Sequence, residues 1–152
     1  MTDSELKTIA AKILRKEGQE LIDAADRIPE PMARVCEIIA NHPGKVVICG
    51  MGKSGLIAQK IAATLCSIGS KAVFLHAAEA VHGDLGIYAP GDPTIVISKS
   101  GATEELVRLI PILKEFNSQL IGILGNLKSP LADQMDVVLD ASVSKEADPL
   151  GI

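Results

Sequence analysis

The chain has 152 residues, of which 47% are hydrophobic and 22% are charged, a balance that excludes a disordered protein and predicts one globular domain. No apolar run approaches the roughly 20 residues that a membrane-spanning helix needs, so we expect no membrane partner. The net charge of −4 and an aromatic content of 2% argue against a nucleic-acid partner, because the chain lacks both an overall basic charge and stacking rings.

The first 44 residues predict two helices. Apolar residues recur at helical spacing over residues 5–28, and Thr2 with Glu5 fits a capping box at the start of this segment. A second helix begins near Pro31, which suits a first helical position, and ends at the breaker of residues 41–44. We expect residues 1–44 to form a helical segment that packs on a domain of residues 45–152. The N-terminus lacks a secretory signal, which predicts a cytoplasmic protein.

After Gly44, short β-branched runs alternate with helical stretches. The runs predict strands at residues 46–49, 72–75, 94–97, 120–124 and 137–139, with helices at residues 54–68, 104–116 and 130–135. Strands that are apolar throughout are buried on both faces, and one crossover helix between successive strands makes them parallel. The pattern predicts an α/β fold, a three-layer, doubly wound, five-stranded parallel sheet of flavodoxin-like or Rossmann-like type with N-terminal helices.

The three cysteines, Cys36, Cys49 and Cys66, lie in apolar periodic segments. Their odd number and the lack of a CxxC spacing favour reduced core thiols over disulfides or a zinc site. A catalytic cysteine is the alternative.

The first predicted strand leads directly into a glycine-rich loop, Gly50-Met51-Gly52-Lys53-Ser54-Gly55, that opens a helix. Backbone N–H groups at a helix N-terminus, together with the Lys53 ammonium, suit a phosphate or a developing oxyanion. The string also matches the G-x-G-x-x-G of dinucleotide-binding folds, but the second strand ends at His76 instead of the acidic residue that holds a ribose. A Walker A loop is excluded because Val47 stands where its first glycine is required. A strand-to-helix turn without a ligand is the remaining alternative.

The third predicted strand leads into a second such loop, Ser98-Lys99-Ser100-Gly101-Ala102-Thr103. An ordinary helix cap needs one hydroxyl, so three hydroxyls around one turn favour a phosphate site. Glu104 and Glu105 follow in the first helical turn, where the helix dipole stabilises carboxylates without any function. Glu105 is in addition a candidate general base.

Two histidines lie between the second and third strands. His76 stands at a strand end and His82 in a glycine-rich turn, so both are candidate hydrogen-bond partners, proton carriers or metal ligands. Two histidines without a third ligand make a weak case for a catalytic metal.

These motifs in their order resemble the sugar isomerase (SIS) domain and, more narrowly, the bacterial D-arabinose 5-phosphate isomerase family. The resemblance covers about residues 5–152. Its narrowest signals are His82-Gly83-Asp84-Leu85-Gly86 and Ser142-Val143-Ser144-Lys145-Glu146-Ala147-Asp148-Pro149-Leu150.

The resemblance implies an aldose-ketose isomerase that interconverts D-ribulose 5-phosphate and D-arabinose 5-phosphate through an enediolate, a step toward the Kdo sugar of lipopolysaccharide. It implies a phosphorylated pentose as substrate, no cofactor, and assembly as a homodimer or homotetramer. Two alternatives stay open: a non-catalytic module that senses a phosphosugar, and an isomerase of a different phosphosugar.

The resemblance also implies functional residues. The catalytic set is Lys53, Glu105, Glu146 and His82, and His76 is expected to contact an inhibitory zinc ion as well as substrate. Our hypothesis is that Glu105 or His82 moves the proton while Lys53 stabilises the oxyanion. The substrate-binding set is Gly52, Ser54, Gly69, Ser70, His76, His82, Ser98, Ser100, Gly101, Thr103, Ser142 and Ser144.

The chain departs from the family pattern at several points. Lys99 and Ala102 stand where the family more often shows an asparagine and a glutamate, and Asp148 stands where many relatives carry a cysteine. No complete element follows Asp140. Relatives continue with a helix that bears another catalytic histidine and usually a pair of CBS modules, so we expect a C-terminally incomplete SIS domain.

Overall fold

The computed structural model describes residues 1–147, in which helices surround one parallel sheet. The capping box predicted at Thr2 and Glu5 is present, with each residue's side chain accepting a hydrogen bond from the backbone N–H of the other. None of the helices in this part of the chain is both long and apolar enough to cross a membrane. The elements are α1 (Asp3–Ala24), α2 (Pro29–Asn41), β1 (Val46–Gly50), α3 (Gly52–Ser67), β2 (Ala72–His76), α4 (Ala77–Ala80), β3 (Thr94–Ser98), α5 (Glu104–Glu115), β4 (Leu120–Leu124) and β5 (Val137–Asp140).

The five strands run parallel in the order β2-β1-β3-β4-β5. Helices cover both faces of this sheet, so the predicted doubly wound α/β fold is confirmed. From β1 the chain crosses through α3 to β2, whereas from β3 it crosses through α5 to β4 on the other side. Because neighbouring strands β1 and β3 send their connections in opposite directions, a crevice opens between their carboxyl ends.

The core consists of two apolar layers, one on each face of the sheet. Alternate residues of β1 point to opposite layers, with Val47 in the layer under α5 and Ile48 in the layer under α2 and α3. All five residues of β1 and of β3 are buried, as their continuous apolar runs predicted. The strands that end at the crevice are therefore the most rigidly packed part of the fold.

A polar cluster around Asp92 closes the opposite, amino-terminal edge of the sheet. The Asp92 carboxylate is buried and receives hydrogen bonds from the backbone N–H of Ala89 at 2.7 Å and from the Lys45 ammonium at 2.5 Å, while His42 Nε2 lies 2.9 Å away. Burial alone would raise the pKa of Asp92, but these donors outweigh it and lower the pKa to about 2. The cluster joins the end of α2 to the start of β3.

The boundaries of two predicted helices were wrong. The first helix ends at Ala24 instead of residue 28, because the following turn brings Arg27 against Asp140 at the end of β5. Within the helix predicted at residues 130–135, only Ala132–Gln134 forms a short 3-10 turn, because the link between β4 and β5 is too short for a packed helix. Residues 77–80, for which no helix was predicted, form the single turn of α4.

The prediction of three core thiols was right for Cys49 and wrong for the other two. Cys49 is fully buried in β1, and burial raises the pKa of its thiol to about 12. Cys36 and Cys66 lie on exposed faces of α2 and α3.

The two helices of residues 1–44 differ in burial. Helix α2 buries Val35 and Ile38 in the core, whereas α1 buries no residue. The division of the chain at residue 44 stays a prediction.

Candidate functional site

A cleft of about 730 Å³ lies at the carboxyl ends of β1 and β3. Three segments line it: the loop from β1 to α3, the loop from β3 to α5, and residues 141–147, which follow β5 and are called the strap below. The strap contributes one wall and the two loops contribute the floor. The lining residues are Met51, Ser54, Ile97, Ser98, Lys99, Ser100, Thr103, Gly125, Ala141, Val143, Ser144, Lys145 and Glu146.

Internal hydrogen bonds shape the loop from β3 to α5. Ser98 Oγ accepts a hydrogen bond from the backbone N–H of Gly101 at 3.0 Å and lies 3.2 Å from Thr103 Oγ1. Ser100 Oγ accepts from the backbone N–H of Ala102 at 3.2 Å. These contacts hold all three hydroxyls of residues 98–103 around a single turn, at one end of the cleft.

Gly101 is required by this turn. Its φ of +65° lies in the left-handed region, and a Cβ there would clash with Ser129 Oγ. The backbone of the loop thus rests directly against the segment that follows β4. A side chain at this position would require the loop or Ser129 to shift.

Two helices begin at the cleft without side-chain caps. Met51 precedes α3 and Thr103 precedes α5, and neither side chain accepts a capping hydrogen bond. The first-turn N–H groups of both helices therefore lack the usual cap acceptor, and the helix dipoles place partial positive charge there. The Thr103 hydroxyl lies beside Ser98 Oγ instead of capping α5, and its role in phosphate binding stays a prediction. The arrangement is suited to an anion.

Side chains of α1 and of the turn after it hold the strap against the body of the protein. Arg27 donates from Nη2 to the carbonyl of Ser142 at 2.8 Å, and its Nε lies 3.2 Å from Asp140 Oδ2. Glu20 accepts hydrogen bonds from the backbone N–H and the hydroxyl of Ser144, and these bonds lower its pKa. The Lys16 ammonium donates to the carbonyl of Glu146. The cleft wall thus depends on a segment more than 110 residues away in sequence.

An ion pair crosses the mouth of the cleft from loop to strap. Lys99 Nζ lies 2.5 Å from Glu146 Oε1, with side-chain exposures of 63% and 30%. Among the described residues that line the cleft, Glu146 carries the one carboxylate, and Lys99 and Lys145 carry the ammonium groups. The site therefore combines hydroxyls, helix N-termini, one carboxylate and flexible cations.

The structure brings six of the fifteen predicted site residues to the cleft. Gly52, Lys53, Gly101 and Glu105 belong to the same two loops or the first turns of α3 and α5 but do not line the cleft, and Ser142 lies in the strap facing α1. The predicted residues that do line it are Ser54, Ser98, Ser100, Thr103, Ser144 and Glu146.

Four predicted residues lie elsewhere. Gly69 and Ser70 line a separate cavity of 220 Å³ at the amino-terminal edge of the sheet. His76 ends β2 beside Gly50 in register, and His82 is exposed in the turn after α4. The described part of a single chain does not bring these four into the cleft.

Residues 1–147 of one chain do not form a three-ligand metal site around His76. Its Nδ1 is buried and has no hydrogen-bond partner within residues 1–147, which leaves this nitrogen free to meet a further group. No cluster of three His, Cys, Asp or Glu side chains suited to a metal ion occurs in the same residues. The described residues therefore offer no three-ligand metal site at His76, and the zinc contact stays a prediction.

Sequence reasoning missed the three side chains that hold the strap, Lys16, Glu20 and Arg27. Their contacts cross from the N-terminal segment to the strap, a separation that no local spacing reveals. Lys99 was noted only as a departure from the family pattern. Its place in the hydroxyl-rich loop was the available signal for a role in the cleft.

Comparison with known proteins agrees with the fold. A sequence model of the SIS domain matches residues 38–151. Arabinose 5-phosphate isomerase KdsD of Pseudomonas aeruginosa is 46% identical over 86% of this chain, and arabinose 5-phosphate isomerase KpsF of Escherichia coli is 40% identical over 97%. This chain spans 41% and 47% of the lengths of those two relatives. A solved Escherichia coli CFT073 protein in complex with arabinose 5-phosphate superposes with a TM-score of 0.93 at 37% identity, covering 100% of this chain and 81% of that one.

Proposed function

This chain belongs to the SIS domain family, and we propose that it interconverts D-arabinose 5-phosphate and D-ribulose 5-phosphate. The observation that carries the proposal is the cleft at the ends of β1 and β3, which joins an anion-binding loop to a carboxylate. Named arabinose 5-phosphate isomerases that match most of the chain, and the arabinose 5-phosphate complex of a similar protein, support this substrate. The product would serve the synthesis of Kdo and lipopolysaccharide.

The sugar phosphate group would bind at the loop from β3 to α5. Ser98, Ser100 and Thr103 place three hydroxyls around one turn, and the uncapped N-terminus of α5 adds backbone N–H donors. A phosphate carries about −1.5 to −2 charges and accepts several hydrogen bonds, so it matches this donor set. The net charge of −4 makes such local donors necessary, because the protein as a whole repels the ligand.

The carboxylate of Glu146 is our candidate for moving the proton. Isomerisation transfers the C2 proton of the open-chain aldose to a base and forms an enediolate whose negative charge lies largely on O1. The O2 proton then passes to O1, and the base returns its proton to C1 as the C2 carbonyl of the ketose forms. A base within reach of C1 and C2 is required, and Glu146 is the carboxylate that lines the cleft together with the hydroxyl loop. Lys53 does not itself line the cleft, but it precedes Ser54, which does, in the first turn of α3. Its long side chain is our candidate for stabilising the oxyanion.

The remaining predicted residues keep roles that a single chain leaves open. Glu105 is partly buried in the first turn of α5, beside the phosphate loop, and stays a second candidate base. His76 and His82 lie outside the cleft of one chain, as do Gly69 and Ser70. We propose a cytoplasmic homodimer or homotetramer, in which these residues would contribute to the cleft of a neighbouring subunit. Exposed apolar residues on α1, such as Leu14, Leu21 and Ile22, support subunit contacts.

The isomerase proposal is tested by incubating the protein with D-arabinose 5-phosphate and following D-ribulose 5-phosphate. We expect turnover that falls by about 100-fold or more in Glu146→Gln, because this variant keeps the shape of the side chain and removes the base. Glu115→Gln is the matched control, since Glu115 is exposed at the far end of α5. Binding of the phosphosugar without turnover would replace the isomerase by a phosphosugar sensor, and turnover of another phosphosugar alone would change the substrate.

A further inference from the structure

We propose that Lys99 exchanges partners when the ligand binds, leaving Glu146 and moving to the phosphate. This inference deepens the proposed function and depends on its phosphosugar site. Lys99 is assigned a role in ligand binding. The Lys99–Glu146 ion pair is assigned the role of joining the loop to the strap while the ligand is absent. The argument starts from the charge inside the cleft.

An anionic ligand entering this cleft meets a carboxylate. Glu146 lines the same cleft as the three hydroxyls, and its side chain is 30% exposed, so its charge is incompletely screened by water. Repulsion between this carboxylate and a phosphate would weaken binding unless a cation compensates for it. Lys99, at 2.5 Å from Glu146 Oε1, provides that compensation in the ligand-free cleft.

Lys99 combines a fixed backbone with a mobile side chain. Its backbone is packed against Gly125, where a Cβ would lie 2.7 Å from the Lys99 carbonyl oxygen, and the Gly125 N–H donates to the carbonyl of Ser98 at 3.1 Å. The Lys99 side chain is 63% exposed. A lysine ammonium on a flexible stem has three donors and several accessible positions, so it is able to swing without moving the loop.

The position of Lys99 in the loop puts both partners within its reach. It lies between Ser98 and Ser100, whose hydroxyls belong to the proposed phosphate turn, and its ammonium already contacts the strap. An ion pair whose lysine is largely exposed to water is weak, so it is a small barrier to exchange. A dianionic phosphate offers the ammonium more charge than one carboxylate does, so exchange is favoured and leaves the Glu146 carboxylate free to accept a proton.

In a rival role, Lys99 stays paired with Glu146 and acts as a shield, which means that it only neutralises the carboxylate and does not contact the phosphate. A double-mutant cycle separates the two roles, because the shield has no purpose once Glu146 is neutral. In Glu146→Gln, an ammonium that binds phosphate still contributes to affinity, whereas a shield contributes nothing. The experiment therefore compares the effect of removing Lys99 with and without the Glu146 charge.

The dissociation constants of inorganic phosphate and of D-arabinose 5-phosphate are measured by calorimetry for the wild-type protein, Lys99→Gln, Glu146→Gln and the double variant. We expect Lys99→Gln to weaken phosphate binding about tenfold in the Glu146→Gln background, and Lys99→Arg to retain most of the affinity. Lys128→Gln, which removes the same charge from an exposed loop outside the cleft, is expected to change affinity less than twofold.

An equal affinity of Glu146→Gln and the double variant overturns the exchange, as does a failure of Glu146→Gln to bind phosphate at all. Neither result depends on turnover, so the isomerase proposal is judged separately by its own assay. Retention of the fold is checked by circular dichroism, and the Lys99→Arg variant supports the exchange even if Lys99→Gln lowers stability.

Discussion

Gly101 and Ser129 approach so closely that a Cβ at residue 101 would lie 2.5 Å from the Ser129 Cβ and closer still to its hydroxyl oxygen. Ser129 is itself fixed, because its hydroxyl donates to the carbonyl of Asn126 at 2.7 Å. The backbone N–H of Leu131 also donates to the carbonyl of Gly101 at 3.0 Å. The turn that carries the candidate phosphate hydroxyls is thus tied to the segment after β4, and the contact can be tested directly.

Gly101→Ala is expected to lower the free energy of unfolding by about 2 kcal/mol or more, since it adds a steric clash to an unfavourable positive φ. The affinity for inorganic phosphate should fall with it, because the loop must move. Chemical denaturation and calorimetry measure the two effects. Gly91→Ala is the matched control. Gly91 has a φ of +86° but open space around it, so the loss of unfolding free energy in this variant comes from the positive φ without a steric clash. Equal losses in both variants would show that the clash is relieved without cost.

Stability is expected to fall as the pH drops from about 4 to about 2. The carboxyl of Asp92 has a pKa of 3.8 when unperturbed and about 2 in the folded protein, so it stabilises the fold above pH 4 and stops doing so as it is protonated. The difference corresponds to about 2 kcal/mol. Asp92→Asn should flatten this part of the profile of unfolding free energy against pH, whereas Asp133→Asn, at an exposed position, should leave it unchanged. Identical slopes for Asp92→Asn and the wild type would contradict this role.

Arg27→Gln is expected to loosen the strap more than the rest of the protein. The change removes the contacts of Arg27 with Asp140 and with the Ser142 carbonyl. We expect hydrogen exchange to accelerate about tenfold or more in residues 141–147, with the amides of β1 and β3 unchanged, and KM for the phosphosugar to rise. Arg34→Gln provides the control because Arg34 pairs with Glu37 on the exposed face of α2. Uniform acceleration across the sheet would mean that Arg27 supports the whole fold instead of the strap.

Two of the three thiols should react rapidly with a disulfide reagent in the native protein. Cys36 and Cys66 are exposed, whereas Cys49 is fully buried and its thiol pKa is raised to about 12, so it lacks both access and thiolate character. The third thiol should react with the reagent only at the rate at which the protein unfolds, and this slow phase should be absent in Cys49→Ala. Rapid reaction of all three thiols in native buffer would contradict the burial of β1.

The sheet and the anion loops followed from local sequence because the forces that make them are local. Continuous β-branched runs produced β1 and β3, and glycine and serine patterns marked the loops that follow them. The strap could not be anticipated in this way. Glu146 stands in a charged segment without periodicity, and its position depends on Lys99 and Lys16, which come from distant parts of the chain. Resemblance identified Glu146, but the side chains that hold it required three-dimensional coordinates.

Because the strap is held by the N-terminal segment, phosphate binding and the choice of sugar would depend on different parts of the protein. An enzyme engineer would want to change these two properties independently. The proposed phosphate site lies in loops that follow buried strands of the sheet, whereas the strap is held by Lys16, Glu20 and Arg27. These three come from a helix that buries no residue of its own and from the turn that follows it. A combinatorial library that varies the strap together with these three positions should therefore alter which sugar is accepted, at little risk to folding and with the anchor for the phosphate left intact.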